Sequence, residues 1–227
     1  MLKDDVYTDH TTMTYRIAFV GPPGSGKGTQ AELLAPVLGI PIIGPGALYR
    51  KEVAAGTPLG KEAVAIMSTG AMMPNALTNA MIQKRLRESD CAGGFILDGF
   101  PREVEQLRGY DELGMPFTHV ILLAISEVEV MRRLADRLVC ICGKQFNRRE
   151  LQIEPGDEER CIACSGELTR RKDDNPETIQ HRITLYHERT EAVVAECRQR
   201  GILVEVNGER PIADVHREIL EKIGMAS

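Results

Sequence analysis

One glycine-rich turn and the segments flanking it limit this 227-residue chain more than any other feature. Tyr15–Val20 (YRIAFV) is a short apolar run that stops at Gly21; the turn GPPGSGKGT follows, and Thr29–Leu38 shows helical spacing despite Pro36. Strand, glycine loop and helix in that order form a cradle for phosphate. Glycines let backbone N–H groups turn toward an anion, the helix N-terminus adds its dipole, and Lys27 can reach the outer phosphates as a point charge. A turn that only joined strand to helix would not need the lysine. Gly24, Ser25, Gly26, Lys27, Gly28 and Thr29 are therefore the candidate phosphate ligands. The common pattern G-x-x-x-x-G-K-[ST] is met with a shift, because Gly28 follows Lys27 and the hydroxyl arrives at Thr29.

Four more short apolar runs bounded by turn residues read as strands: Ile40–Ile43, Phe95–Leu97, His119–Ala124 and Ile202–Val206. Helical patterns at Lys61–Ser68, Asn75–Glu88, Ser126–Val139 and Pro176–Arg200 alternate with them. Five strands alternating with helices imply an α/β chain with a parallel sheet and a ligand site at the strands' carboxyl ends. Residues 1–14 are polar and read as a leader outside the fold, with Met13 an alternative start. With a net charge of −5 there is no global field for nucleic acid or anionic membrane, and no apolar run is long enough to span a bilayer. A cytoplasmic location is expected.

Four of the six cysteines fall in Cys140-Ile-Cys142 and Cys161-Ile-Ala-Cys164, inside a polar, charge-rich stretch. This approaches the two-knuckle arrangement that holds structural zinc through four thiolates, though the first pair is one residue shorter than C-x-x-C. Free thiols in a reducing compartment are the alternative. A nucleic-acid-binding ribbon finds support in Arg148, Arg149, Arg170, Arg171 and Lys172, but Glu150, Glu154, Asp157, Glu158 and Glu159 oppose it.

Gly94–Arg102 reads GFILDGFPR: an apolar run ending in Asp98, a turn and Arg102, with Gln106 four residues on. Together with GPPGSGKGTQ this resembles the adenylate kinases, over nearly all the chain from about Arg16. The resemblance implies a P-loop three-layer α/β/α fold on a core of 15–43, 74–136 and 175–227. It also implies a helical monophosphate-binding insertion at 44–73 and a small zinc-binding lid at 137–174. The activity it implies is reversible, Mg2+-dependent transfer between ATP and AMP, giving two ADP, by a monomer.

Site residues follow from the same resemblance. Lys27, Arg102, Arg137, Arg171 and Arg182 would be the catalytic cations, and Arg133, Arg137, Phe146 and Arg210 would join the loop in holding ATP. Pro45, Arg50, Met72, Met73, Gly99, Arg102, Gln106, Arg171 and Arg182 would surround AMP. Asp98 would stand behind the Mg2+, Asp173 and Asp174 would serve lid closure, and Cys140, Cys142, Cys161 and Cys164 would hold Zn2+. Arg133 and Arg137, four apart on the expected helix, would share a face. The family's Ser-Thr-Gly-Asp is replaced here by Gly44-Pro45-Gly46-Ala47, which removes hydroxyls and an acid near the acceptor base. AMP is the expected acceptor, with UMP or CMP, or GTP as donor, as the alternative. A P-loop hydrolase would need a water-positioning residue and switch loops that the sequence does not supply.

Overall fold

The computed structural model describes residues 14–68, 71–148, 151, 160–171 and 174–225. The leader, Asp173, Lys172 and most of the acidic stretch lie outside the described residues. Five strands form one parallel sheet: β1 (Tyr15–Val20), β2 (Ile42–Ile43), β3 (Gly94–Asp98), β4 (His119–Ala124) and β8 (Leu203–Asn207), in the order β2-β3-β1-β4-β8. β1 is central, and Ile17, Ala18, Phe19 and Val20 are all essentially inaccessible, as a parallel strand covered on both faces requires. Ile17 and Phe19 pack under α1 (Lys27–Leu38) and α9 (Ile212–Lys222), against Leu34, Val215 and Ile219. Ala18 and Val20 point the other way, into a cluster with Ile82, Leu86, Leu107, Tyr110 and Val193. Those residues come from α4 (Asn75–Leu86), α5 (Val104–Asp111) and α8 (Glu191–Gln199). The expected three-layer α/β/α architecture is present.

Several boundaries differ from the sequence expectation. The helix expected over Ser126–Val139 ends early: α6 spans Glu127–Ala135, its first turn capped by Ser126 Oγ accepting from Glu129 N at 3.4 Å. Arg137–Cys140 is instead β5, paired antiparallel with β6 (Gln145–Asn147) and β7 (Leu168–Thr169). Extending the chain there buries Leu138 and Cys140 with Cys161 and Leu168, and that tertiary packing overrides the local helical spacing. Arg133 and Arg137 therefore do not share a helix face. The expected helix Pro176–Arg200 is α7 (Pro176–Leu185), a single π turn (Tyr186–Thr190) and then α8. Asn175 caps α7 by accepting from Thr178 N at 2.9 Å.

The expected Ile40–Ile43 strand shrinks to Ile42–Ile43, and Asn75–Glu88 ends at Leu86 before a 3-10 turn at Ser89–Cys91. α2 (Pro45–Ala54), α5 and α9 were not read from the sequence, and α3 (Pro58–Ser68) starts ahead of the expected Lys61. Pro-Gly at the head of α2 reads as a break, yet Pro45 occupies N1, where its missing N–H costs nothing. Among the described residues no helix is long and apolar enough to cross a membrane.

Candidate active site

The turns after β1, β3 and β8 all leave the carboxyl edge of the sheet and open into one cleft of about 1040 Å³. Every residue assigned above to ATP, AMP or Mg2+ from the sequence lines it; of the pair assigned to lid closure, Asp174 does not, and Asp173 lies outside the described residues.

The phosphate loop forms the floor. Gly21 leaves β1 at φ 141°, and a Cβ there would stand 2.6 Å from the Leu123 carbonyl, so only glycine fits. Gly26, in the left-handed region, is the N-cap of α1 and supplies no side-chain cap. The first N–H groups of α1 are thus left for an anion. Lys27 Nζ folds over the loop and donates to Gly21 O (3.0 Å), Pro22 O (2.7 Å) and Ser25 Oγ (3.2 Å). Burial pushes its pKa down to about 7; Arg102, Arg182 and Arg137 push the same way, and Asp98 opposes them. The cleft holds a surplus of positive charge that a polyanion would neutralise.

Asp98 ends β3 in register with Phe19, so its carboxylate arrives beside the loop, 3.4 Å from where a Cβ on Gly28 would stand. Past it, Gly99 turns at φ 70°, and Arg102 Nε donates to the Gly99 carbonyl at 2.8 Å. Gln106 is buried and engaged at both ends: its Oε1 accepts from Arg102 N (2.8 Å) and its Nε2 donates to Asn75 Oδ1 (2.9 Å). Arg50 curls back toward Gly46, where an added Cβ would lie 3.2 Å from Nη1. Met73 is buried against Tyr49 and Ala63, so it packs as well as lines, while Met72 faces the cleft and Pro45 heads α2 beside it.

On the opposite wall Arg137, from β5, and Arg182, from α7, share one carboxylate. Arg137 donates through Nε (2.7 Å) and Nη2 to Asp174, whose side chain is 2% exposed, and Arg182 Nη1 lies 3.3 Å from the same oxygen as Nη2. Arg171 lines the cleft nearby, and Phe146 projects from β6 into the same wall while packing on Leu138. Arg133 Nε pairs with Glu129 (2.6 Å) and its Nη2 donates to the Gly208 carbonyl (2.9 Å). Hydrogen bonds from Arg132, then Arg133, hold Glu129 down at about 2. Arg210 lines the cleft and pairs with Glu218. Sequence reasoning missed Glu129 and Gly208. Gly208 was within reach, because NGERP follows the last strand at the sheet's ligand-binding edge.

The four thiols converge at the tip of the β5-β6-β7 sheet. All four Sγ atoms lie within 4.8 Å of one another, with Cys140–Cys164 at 3.4 Å and Cys142–Cys161 at 3.7 Å. Tetrahedral zinc with about 2.3 Å bonds places its sulfurs about 3.8 Å apart. The donor set and spacing fit such an ion, and the short first knuckle brings in both of its thiols. Gly166 gives the sulfurs room: a Cβ there would stand 3.2 Å from Cys140 Sγ and 3.3 Å from Cys164 Sγ.

The family model for adenylate kinase matches residues 19–202. A protein described as adenylate kinase from Streptomyces griseus is 40% identical over 212 residues, covering 92% of this chain and 97% of the relative. One from Thermodesulfovibrio yellowstonii is 41% identical, covering 90% and 96%. One from Archaeoglobus fulgidus is 39% identical, covering 91% and 98%.

Proposed function

The chain belongs to the adenylate kinase family and is a phosphotransferase that interconverts ATP plus AMP with ADP, and from that premise we propose how its cleft divides the work. The loop amides and Lys27 hold the β- and γ-phosphates of ATP. Arg133, Phe146 and Arg210 flank the donor base and ribose. Arg50 and Arg102 hold the AMP phosphate, with Gly99, Gln106, Met72, Met73 and Pro45 around the nucleoside. Arg137, Arg171 and Arg182 gather on the transferring phosphoryl and offset the charge that spreads over its oxygens.

The observation that carries this reading is convergence: Lys27, Arg102, Arg137 and Arg182, from four separate segments, line a single cleft, where the three arginines all act on the Lys27 ammonium. A site so cationic is preorganised for the charge of two nucleotides. Transfer is direct and in line, with rate supplied by position and field. Residues 44–73 and 137–174 act as two units that close over the core of 15–43, 74–136 and 175–227 to exclude water. Asp98, with the Thr29 hydroxyl at the mouth of α1, suits Mg2+, which when bound shares the phosphates' negative charge. The four thiolates suit zinc in a structural role, since they leave no coordination position for substrate. The acidic balance fits a cytoplasmic location, and the family resemblance implies a monomer.

A coupled assay tests the reading. ATP with AMP yields ADP, ATP alone releases little phosphate, and CMP, UMP and GMP are poor acceptors at fixed ATP. Phosphate release without AMP, or equal use of CMP, would overturn it.

A further inference from the structure

Beside Arg102 the chain builds a polar cluster, three of whose members, Asn75, Glu103 and Arg189, do not line the cleft. Glu103 is 9% exposed and its carboxylate is held at both oxygens. Asn75 Nδ2, at the first residue of α4, donates to Oε2 at 2.6 Å, and Arg189 Nη1, in the π turn, donates to Oε1 at 2.5 Å. Next to Arg189, Thr190 Oγ1 donates to the Arg102 carbonyl at 3.0 Å. From the other side the Arg102 N–H is taken by Gln106, which is itself tied to Asn75. Both backbone polar groups of Arg102 are thus fixed, one by α5 and one by the π turn.

A carboxylate this buried is costly unless paired, and Arg189 is the only cation that an ion pair gives it among the described residues. The π turn is the element that presents Arg189 and Thr190 together, and such single wide turns recur at functional sites. The same helical rod carries Arg182, which shares Asp174 with Arg137 on the donor side. One rod therefore contacts both phosphate-binding arginine groups.

We propose that the Glu103–Arg189 ion pair positions the acceptor arginine: it locks the Arg102 loop against the π turn and so sets affinity for the monophosphate without touching either nucleotide. This rests on reading Arg102 as a ligand of the AMP phosphate.

Steady-state kinetics of Glu103→Gln, Arg189→Met, Arg189→Lys and the double variant test it, with Arg102→Lys as control. Loss of the pair is expected to raise KM for AMP by about three- to tenfold while KM for ATP changes by less than about twofold. The double variant should be no worse than the worse single, and Arg189→Lys should recover most of the loss. The double variant leaves no buried charge unpaired, so it keeps the fold even if Glu103→Gln or Arg189→Met alone does not. An unchanged KM for AMP, equal rises for both substrates, multiplicative singles, or a lower melting point with unaltered KM values would each overturn the proposal. If Arg102→Lys raises KM for AMP and the pair variants do not, only the positioning role falls. If Arg102→Lys leaves KM for AMP unchanged, the acceptor-site reading falls with it.

Discussion

Lys27 concentrates the chemistry of the site in one side chain. Its ammonium sits on the loop's own carbonyls with three arginines acting on it, and its pKa is held at about 7 against an unfolded value near 10.5. Between those two values the unfolded chain binds the extra proton, so the free protein gains stability as pH rises from about 7 toward 10.5, and the penalty is complete below about 7. A bound polyanion reverses the balance and favours the ammonium. Calorimetry of ATP binding at pH 8, in two buffers of different ionisation heat, should show proton uptake that is absent at pH 6 and absent in Lys27→Met. Heats that match between the buffers at pH 8 would contradict the shift. Lys27→Met and Arg102→Ala should each slow transfer by about a hundred- to thousandfold with the melting curve nearly unchanged. At this scale the sequence was informative: every cation assigned to the nucleotides lines the cleft. What it concealed were the counter-charges, such as Glu129 under Arg133 and the shared Asp174, because which carboxylate meets which guanidinium is decided by tertiary placement.

The elements were legible where burial was uniform and obscure where it was not. β1 and β4 read as strands because both faces are covered, leaving continuous apolar runs. β5 read as the end of a helix because Leu134, Leu138 and Val139 fit helical spacing, and only the antiparallel partners and the thiol cluster reveal why the chain extends there. A metal held by the cluster would also set the stability of this unit, since a sheet of three short strands around Leu138 and Leu168 has little core of its own. Structural zinc is worth roughly 10–16 kcal/mol in small domains. Cys161→Ser should therefore lower zinc content and melting temperature more than ATP affinity, and an unchanged melting curve would count against a structural metal. Between α6 and the π turn, His187 bridges Glu127 (3.0 Å) and Glu191 (2.7 Å), and the Glu191 hydrogen bond leads in raising its pKa. Its contribution is complete below the unfolded value near 6.5 and fades as pH rises through the folded one. His187→Gln should then lower the melting point more at pH 5.5 than at pH 8.5.

At the scale of the whole molecule, a parallel sheet delivers three loops to one edge, and α2, β5 and α7 bring Arg50, Arg137 and Arg182 to the same cleft. The sheet and the phosphate loop could be placed from the sequence; the way α2, β5 and β6 come to line the same cleft could not, because nothing local encodes it. The central claim is that both nucleotides share this one cavity. Isothermal titration with diadenosine pentaphosphate, which carries an adenosine for each side and a phosphate chain between them, tests it directly. One site per chain is expected, at least tenfold tighter than ATP alone and weakened by both Lys27→Met and Arg102→Ala. Two independent sites, or binding that either substitution leaves untouched, would contradict a shared cleft.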